Sequence, residues 1–201
     1  WQAFGSVVVD SPLTPDYISL SPGAEGDITG SSCTLLGADR RISSGPSTSR
    51  WREQRFYASW DHQALRLTWT GANWHGDGDL FVYLDTAAGG TDTTLAPYPV
   101  VSGTLTLLPD EFAADALVWV QDGTTASLLL WDGGQGAADT TLSAEQYRFD
   151  GGRRGGQTDL YLPFDLLGIG AGSPLGLVAY AAEEPAPDIG LRIWATMPLA
   201  N

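Results

Sequence analysis

The sequence predicts an all-β protein, an antiparallel jelly-roll-like β-sandwich with an irregular N-terminal segment. From Phe56 onward, short apolar runs recur at regular intervals and are separated by Gly, Asp and Pro, which is typical of short strands joined by turns. No stretch has the periodicity of a helix of ordinary length. The chain has 201 residues, enough for one well-cored domain. We therefore expect a sandwich domain over residues 56–201, with residues 1–55 packed on it as a strap.

The first predicted hairpin lies between residues 56 and 70. Large apolar residues recur at every second position in FYASW (56–60) and in LRLTW (65–69), and a short polar segment joins the two runs. A period of two places alternate side chains on opposite faces of a strand. We therefore expect one buried face and one wet face. The buried face carries Leu65, Leu67 and Trp69, and the wet face carries Arg66, Thr68 and Thr70.

Two further strand patterns follow. Residues 80–84, LFVYL, have no polar alternate, which predicts a strand that is covered on both faces. Residues 116–121 and 127–131 flank the dipeptide Asp122-Gly123, which suits the positive φ angles of a tight type I′ turn. The second pattern predicts a hairpin.

The first 55 residues are the least regular part of the chain. Short strands are possible at 6–10 and 17–20, but four prolines and a Ser-rich run break any longer element. This composition is the reason for expecting a strap there.

Charge and cysteine content exclude several function classes. The formal net charge is −14, which argues against a nucleic-acid partner because phosphate binding relies on a basic surface. Cys33 is the only cysteine, so the chain forms no internal disulfide and no cysteine-rich metal site. No run approaches the roughly 20 apolar residues of a membrane span, so we do not expect a membrane-embedded protein.

Catalytic motifs are not recognisable. The sequence has neither a G-x-S-x-G elbow nor a local cysteine-nucleophile signature, and its two histidines, His62 and His75, lie in a predicted turn and a loop. Two carboxylates suffice for glycoside hydrolysis, but the acidic residues cluster in turns. We therefore expect a protein that is not an enzyme.

An acidic, Gly-rich stretch predicts a bound Ca²⁺. The glycines between its acidic residues let the backbone bend so that carboxylate and carbonyl oxygens converge on a hard cation. The alternative is that these residues only begin and cap turns. The candidate ligands are Asn73, Asp77, Asp79, Asp85 and Asp92.

The eight tryptophans suggest a second kind of site. An exposed aromatic ring can stack on the apolar face of a sugar ring, although most Trp residues in a sandwich belong to the core. Trp74 lies in a predicted loop beside the acidic residues, and Trp131 ends a predicted strand. These two are the candidate ligand-binding residues.

Three segments carry a family resemblance. In order they read FYASWDHQALRLTW (56–69), GDGDLFVYLDTAAGG (76–90) and DLYLPFDLLG (159–168). This order resembles the sandwich modules related to family 9 carbohydrate-binding modules and DOMON domains. The resemblance implies a jelly-roll-like sandwich in a secreted or cell-surface, multi-modular protein, with structural calcium near Asp77, Asp79 and Asp85 and sugar held by aromatic residues. The opening I-D-G-x-L-x-x-W strand of that family is not recognisable here.

Three functions stay open at this point. A non-catalytic carbohydrate-binding-like module is expected first, with a polysaccharide or glycan as its partner. The alternative is a structural or adhesive domain of a cell-surface assembly, which pairs with neighbouring domains or subunits and binds no sugar. An enzyme would need a deep cleft with paired carboxylates.

Overall fold

A computed structural model describes twelve β-strands in two antiparallel sheets, which confirms the predicted β-sandwich. The described residues are 18–20, 34–39, 53–74, 78–92, 108–109, 111–121, 123–131, 137–151, 156–186 and 190–197. Within these ranges no helix has the length and apolar character needed to cross a membrane. The predicted strand at 6–10 and Cys33 lie outside the described residues. The strands are β1 (Ile18–Leu20), β2 (Thr34–Asp39), β3 (Gln54–Trp60), β4 (Ala64–Thr70), β5 (Gly78–Asp85), β6 (Ala116–Gln121), β7 (Thr125–Trp131), β8 (Ala137–Thr141), β9 (Tyr147–Asp150), β10 (Gln157–Pro163), β11 (Leu175–Ala186) and β12 (Gly190–Met197).

The larger sheet has seven strands in the order β1-β11-β5-β6-β7-β8, with β12 also paired to β11. Strand β11 is twelve residues long, and two strands share one of its edges. Its first residues pair with β1, and its residues from Ala179 onward pair with β12. The other edge of β11 pairs with β5. Segment 1–55 therefore supplies one strand to this sheet.

The smaller sheet has five strands in the order β2-β3-β4-β10-β9. Its centre is the predicted β3–β4 hairpin, whose connection is closed by Asp61. The Asp61 carboxylate accepts hydrogen bonds from the backbone N–H groups of Gln63, at 2.8 Å, and Ala64, at 2.9 Å. These bonds lower the pKa of Asp61, the Gln63 N–H having the largest effect. A short polar side chain that holds its own turn explains why the hairpin could be predicted.

The β6–β7 hairpin is also confirmed, with a connection one residue longer than expected. Gln121 pairs with Thr125, so three residues join the strands. Gly123 has φ +67°, and the N–H of Thr124 donates to the carbonyl of Gln121 at 2.9 Å. The positive φ favours glycine at this position, as the sequence indicated.

The main core lies between the sheets. Phe56 and Trp69 of the five-stranded sheet form an aromatic row with Trp74, which follows β4; Trp69 lies 5.3 Å from Phe56 and 6.5 Å from Trp74. The seven-stranded sheet supplies many alanines, which leave room for these rings at close-packed density. The buried alanines of that sheet are Ala116, Ala126, Ala179, Ala181 and Ala195.

At one side of the sandwich, β2 and β12 approach each other. Met197 is fully buried, and a Cβ added to Gly37 would lie 2.7 Å from its sulfur. The absence of a side chain at Gly37 therefore allows the two sheets to close around Met197.

Candidate functional site

The outer faces of the two sheets differ in kind. The outer face of the seven-stranded sheet is a second apolar cluster, which we call the covered face. The outer face of the five-stranded sheet is polar and open to solvent, and we call it the open face. The covered face consists of Phe81, Tyr83, Leu117, Trp119, Leu129, Trp131, Val178, Tyr180 and Ala182, with Leu108, Phe112 and Ala114 packed against them.

Parallel aromatic rings dominate the covered face. Phe81 stacks on Tyr180 at 4.8 Å and on Trp119 at 6.2 Å, with angles of 24° and 10° between the ring planes. Tyr83 stacks on Tyr180 at 5.9 Å and on Trp131 at 6.5 Å. Because β5 has this cluster on one side and the main core on the other, its predicted burial on both faces is confirmed. Burial raises the pKa of both tyrosines.

The covered face explains the position of Trp131, which was expected to be exposed. Its ring is 9 % exposed because it packs in this second cluster. A strand-end position therefore did not mean exposure, since Leu108, Phe112 and Ala114 belong to the same cluster. The expectation of an exposed Trp131 is wrong.

The expectation of an exposed Trp74 is also wrong. Trp74 is fully buried between Trp69 and Phe149, and its Nε1–H donates to Thr158 Oγ1 at 2.6 Å. The chain turns inward before it at Gly71, which has φ +95° and where a Cβ would lie 2.6 Å from the carbonyl oxygen of Glu53. A ring held in this way presents no face for a sugar to stack on.

The predicted calcium ligands do not all lie together. Asp79 and Asp85 belong to the same strand, β5, six positions apart, which corresponds to about 20 Å. One ion cannot bind both. Asp77 lies outside the described residues, and Asp92 is exposed beyond the end of β5. Within the ranges that the structure describes, no three His, Cys, Asp or Glu residues are grouped so as to hold a metal ion.

Asp79 and Asp85 have other partners. Asp79 is 1 % exposed and accepts a hydrogen bond from Nε1–H of Trp119 at 2.7 Å, which orients that indole ring. Asp85 accepts from the N–H of Ala113, at the far end of the β5–β6 connection. Asp115, at that same end, accepts in return from the N–H groups of Thr86 and Ala87 at the near end. These two carboxylates thus tie the two ends of the connection together.

The open face carries side chains from all five strands of the smaller sheet. Arg66, Thr68 and Thr70 project from it as predicted, Arg66 being exposed and the two threonines partly exposed. Strand register places neighbours in rows across the sheet. The central row runs Leu35, Tyr57, Thr68, Asp159 and Arg148, and it is flanked by a row of Ser59, Arg66 and Tyr161 and by a row of Arg55, Thr70, Gln157 and Asp150.

Each of the two tyrosines on the open face has an arginine beside it. The Arg66 guanidinium lies over the ring of Tyr161, 5.2 Å from its centroid, a cation–π contact. Arg55 lies next to Tyr57, and hydrogen bonds to Tyr57 and Glu53 raise the pKa of Arg55. Both arginines also form exposed ion pairs, Arg55 with Glu53 at 2.7 Å and Arg66 with Asp61 at 3.2 Å.

Next to the two tyrosines lies a hydrogen-bond network centred on Asp159. Thr68 Oγ1–H donates to Asp159 Oδ1 at 2.7 Å. Gln157 Nε2–H donates to Asp159 Oδ1 at 3.0 Å and to Oδ2 at 2.8 Å. These three partly exposed or exposed side chains lie on two adjacent strands, β4 and β10. The open face therefore combines aromatic rings and fixed polar groups on one rigid surface.

The sequence interpretation missed Tyr57, Tyr161 and Asp159 as site residues. The sequence did carry a signal for them. All three occupy the outward-facing positions of alternating strands, like the polar residues on the wet face of β4. The predicted ligand-binding residues were instead two tryptophans, one in a predicted loop and one at the end of a predicted strand. Strand pairing was needed to place Tyr57 and Tyr161 on opposite sides of Thr68.

Comparison with known proteins adds a fold-level likeness. No protein-family model matches the sequence, and no curated protein matches it. Among solved structures, the chain is similar to a family 9 carbohydrate-binding module from Caldicellulosiruptor kristjanssonii in complex with cellotriose. The identity is 10% and the TM-score is 0.36, with 89% of this chain and 77% of that chain covered.

Proposed function

We propose that this chain is a non-catalytic carbohydrate-binding module of a secreted or cell-surface protein, and that it binds a polysaccharide on the open face. The observation that carries the proposal is the pairing of accessible tyrosine rings with a fixed polar network. On one face of the sheet, Tyr57 on β3 lies opposite Thr68, and Tyr161 lies two residues after Asp159 on β10, the strand on the other side of Thr68.

Sugar rings require this combination of groups. The apolar face of a pyranose packs on an aromatic ring, and the hydroxyl groups around it need hydrogen-bond partners when water is displaced. On the open face, Tyr57 and Tyr161 supply rings, while Arg66, Arg148 and Asp159 supply donors and acceptors. The network around Asp159 exists before any ligand arrives, so less ordering accompanies binding.

The spacing of the two tyrosines favours an extended ligand. They lie two strands apart and one step of two residues apart along the strands, which corresponds to about 12 Å. A ligand that contacts both rings must therefore span several sugar units. The open face is the outer surface of a five-stranded sheet, which suits a chain lying across the strands.

A titration with soluble polysaccharides tests the proposal. Suitable probes are a β-glucan, a glucomannan and a galactan, measured by isothermal titration calorimetry. Stacked aromatic contacts contribute about 0.5–1.5 kcal/mol each, so Tyr57→Ala and Tyr161→Ala should each weaken binding several-fold, up to about tenfold. Tyr57→Phe and Tyr161→Phe keep the ring and serve as matched controls.

Two results would contradict the proposal. One is the failure of the wild-type protein to bind any of the probes. The other is unchanged affinity in both alanine variants, which would show that the sugar binds somewhere other than the open face.

A second candidate function is a structural or adhesive domain, favoured by one observation. Leu35 is 51 % exposed and lies on the outermost strand of the five-stranded sheet, next to Tyr57. An apolar side chain on an edge strand can recruit a protein partner. Light scattering of the wild type and of Leu35→Asp tests this function, which predicts an association that the variant abolishes.

The calcium ion stays a separate proposal. Asn73 and Asp79 are the described candidates near the start of β5. A ligand that binds only the folded protein raises its melting midpoint. A fall in that midpoint on adding a chelator would support the ion, and an unchanged midpoint would leave these residues with their hydrogen-bonding role alone.

A further inference from the structure

The Asp159 carboxylate at the centre of the open face offers only hydrogen-bond acceptors to a ligand. Thr68 donates its one hydroxyl proton to Asp159. The Gln157 amide nitrogen also faces Asp159, at 3.0 Å from Oδ1 and 2.8 Å from Oδ2. These two neighbours hold the carboxylate, whose oxygens keep lone pairs for a ligand. A group bound against Asp159 must therefore donate a hydrogen bond.

Two arginines beside this centre offer donors only. Arg148 lies directly opposite Asp159 in the register of β9 and β10, and Arg66 lies one row away, opposite Tyr161. A guanidinium donates and cannot accept. Both arginine side chains are exposed. A ligand group that bridges the centre and these arginines must donate on one side and accept on the other.

A hydroxyl group meets both requirements, and a carboxylate does not. The oxygen of a hydroxyl can accept from Arg148 while its proton is donated to Asp159. A ligand carboxylate would bond the arginine but would place its charge against that of Asp159, and like charges at short range repel. The net charge of −14 on the chain adds long-range repulsion of polyanions.

On these contacts, and resting on the proposed carbohydrate-binding function, we infer that Asp159 is a specificity-determining residue that selects neutral, hydroxyl-bearing sugars and rejects uronic acids. Thr68 and Gln157 act through Asp159 by holding its carboxylate in place. Arg148 donates a hydrogen bond to the oxygen of the same ligand hydroxyl whose proton Asp159 accepts.

The test compares one polysaccharide in two forms. The neutral probe that binds best among the β-glucan, glucomannan and galactan is titrated beside the same polymer oxidised to a carboxylate at C6. Wild type should bind the neutral form about tenfold more tightly, as expected for a hydrogen bond to a charged group. Asp159→Asn keeps the shape of the side chain and removes its charge. This variant should lose about tenfold in affinity for the neutral form and most of its preference.

Asp165→Asn is the matched control. Asp165 is an exposed carboxylate that follows the end of β10 and is not in any row of the open face. Its variant should bind both polymers as the wild type does. Thermal melting of both variants shows whether they fold.

The outcomes separate this inference from the proposed function. Wild-type affinity for the neutral form in Asp159→Asn overturns the inference, and so does equal binding of the neutral and oxidised forms by wild type. If the tyrosine variants still weaken binding in either case, the proposed function survives. Failure of wild type to bind either form overturns both.

Discussion

The covered face and the open face are built on similar antiparallel sheets, yet their aromatic side chains are arranged differently. On the covered face, rings from adjacent strands stack on one another, and Leu108, Phe112 and Ala114 pack against them. On the open face, Tyr57 and Tyr161 lie apart, each beside an arginine, with a polar network next to them. All tryptophan side chains that the structure describes contact one of the two apolar clusters. Aromatic content alone therefore does not show which rings face solvent in this protein, whereas outward position on a strand does.

The largest expected effect is on stability, from a ring of the covered face. Tyr83→Ala removes a fully buried ring that stacks on Tyr180 and Trp131, and should lower the free energy of unfolding by about 3–5 kcal/mol. Tyr83→Phe loses only a hydroxyl that lies 3.5 Å from the hydroxyl of Tyr180 and is the control. Urea denaturation measures both. A loss below 1 kcal/mol in Tyr83→Ala would mean that the cluster contributes little.

A smaller effect on stability is expected from the buried side of β10, without an effect on the side that faces solvent. Thr158 is 1 % exposed and pairs with Trp74, while its neighbour Asp159 faces solvent. Trp74→Phe leaves the Thr158 hydroxyl buried without its donor, which should cost about 1–3 kcal/mol of stability while glycan affinity stays unchanged.

Thr158→Val is the matched second change. It removes the orphaned hydroxyl, so the double variant should recover part of the loss, as a double-mutant cycle measures. Reduced glycan affinity in Trp74→Phe would instead show that the core and the open face are coupled.

Asp61, in the β3–β4 connection, and Asp85, at the end of β5, should make the stability of the fold depend on pH in opposite directions. The pKa of Asp61 is lowered, chiefly by the Gln63 N–H, so its ionised form stabilises the fold above its unfolded pKa and that contribution is lost as the pH falls. The pKa of Asp85 is raised, chiefly by burial and further by Asp115, so its contribution is present at low pH and lost as the pH rises through the folded pKa.

Melting curves of the wild type, Asp61→Asn and Asp85→Asn at several pH values check these signs. Relative to wild type, the midpoint of Asp61→Asn should fall as the pH rises from acidic to neutral, and the midpoint of Asp85→Asn should rise. If the midpoints of both variants changed in the same direction with pH, relative to wild type, the predicted signs would be wrong.

The smallest expected effect is on the stability of the open face. Tyr161→Ala removes a partly exposed ring and its contact with Arg66, which should change the free energy of unfolding by less than about 1 kcal/mol. Urea denaturation beside Tyr83→Ala gives the direct contrast. A loss equal to that of Tyr83→Ala would show that Tyr161 is needed for folding, and its effect on binding would then not identify a site.

Strand alternation made much of the fold predictable. In β4 the alternation of Leu65, Leu67 and Trp69 with polar residues determined which face is buried, and β5 has no such alternation because both its faces are covered. Local turn chemistry at Asp61 and Gly123 made two hairpins predictable. These features depend on residues that are close together in the sequence.

The candidate site was less predictable because it depends on pairing between distant segments. Thr68 and Asp159 are far apart in the chain and meet only because β4 pairs with β10. Trp74 was misplaced for a related reason, since Thr158 and Phe149, which enclose it, come from β10 and β9. A loop position in the sequence carries no information about which strands pack over it.

The shared edge of β11 has a consequence for the order of folding. β1 pairs with the first residues of β11, across most of the chain length, whereas β12 pairs with the rest of that edge through a short connection. Contacts between distant segments form slowly, because closing the long loop between them costs conformational entropy before strand pairing can offset that cost. The β11–β12 hairpin should therefore form early and offer β1 a prepared edge. Substitutions in β1 should then accelerate unfolding while leaving the refolding rate almost unchanged.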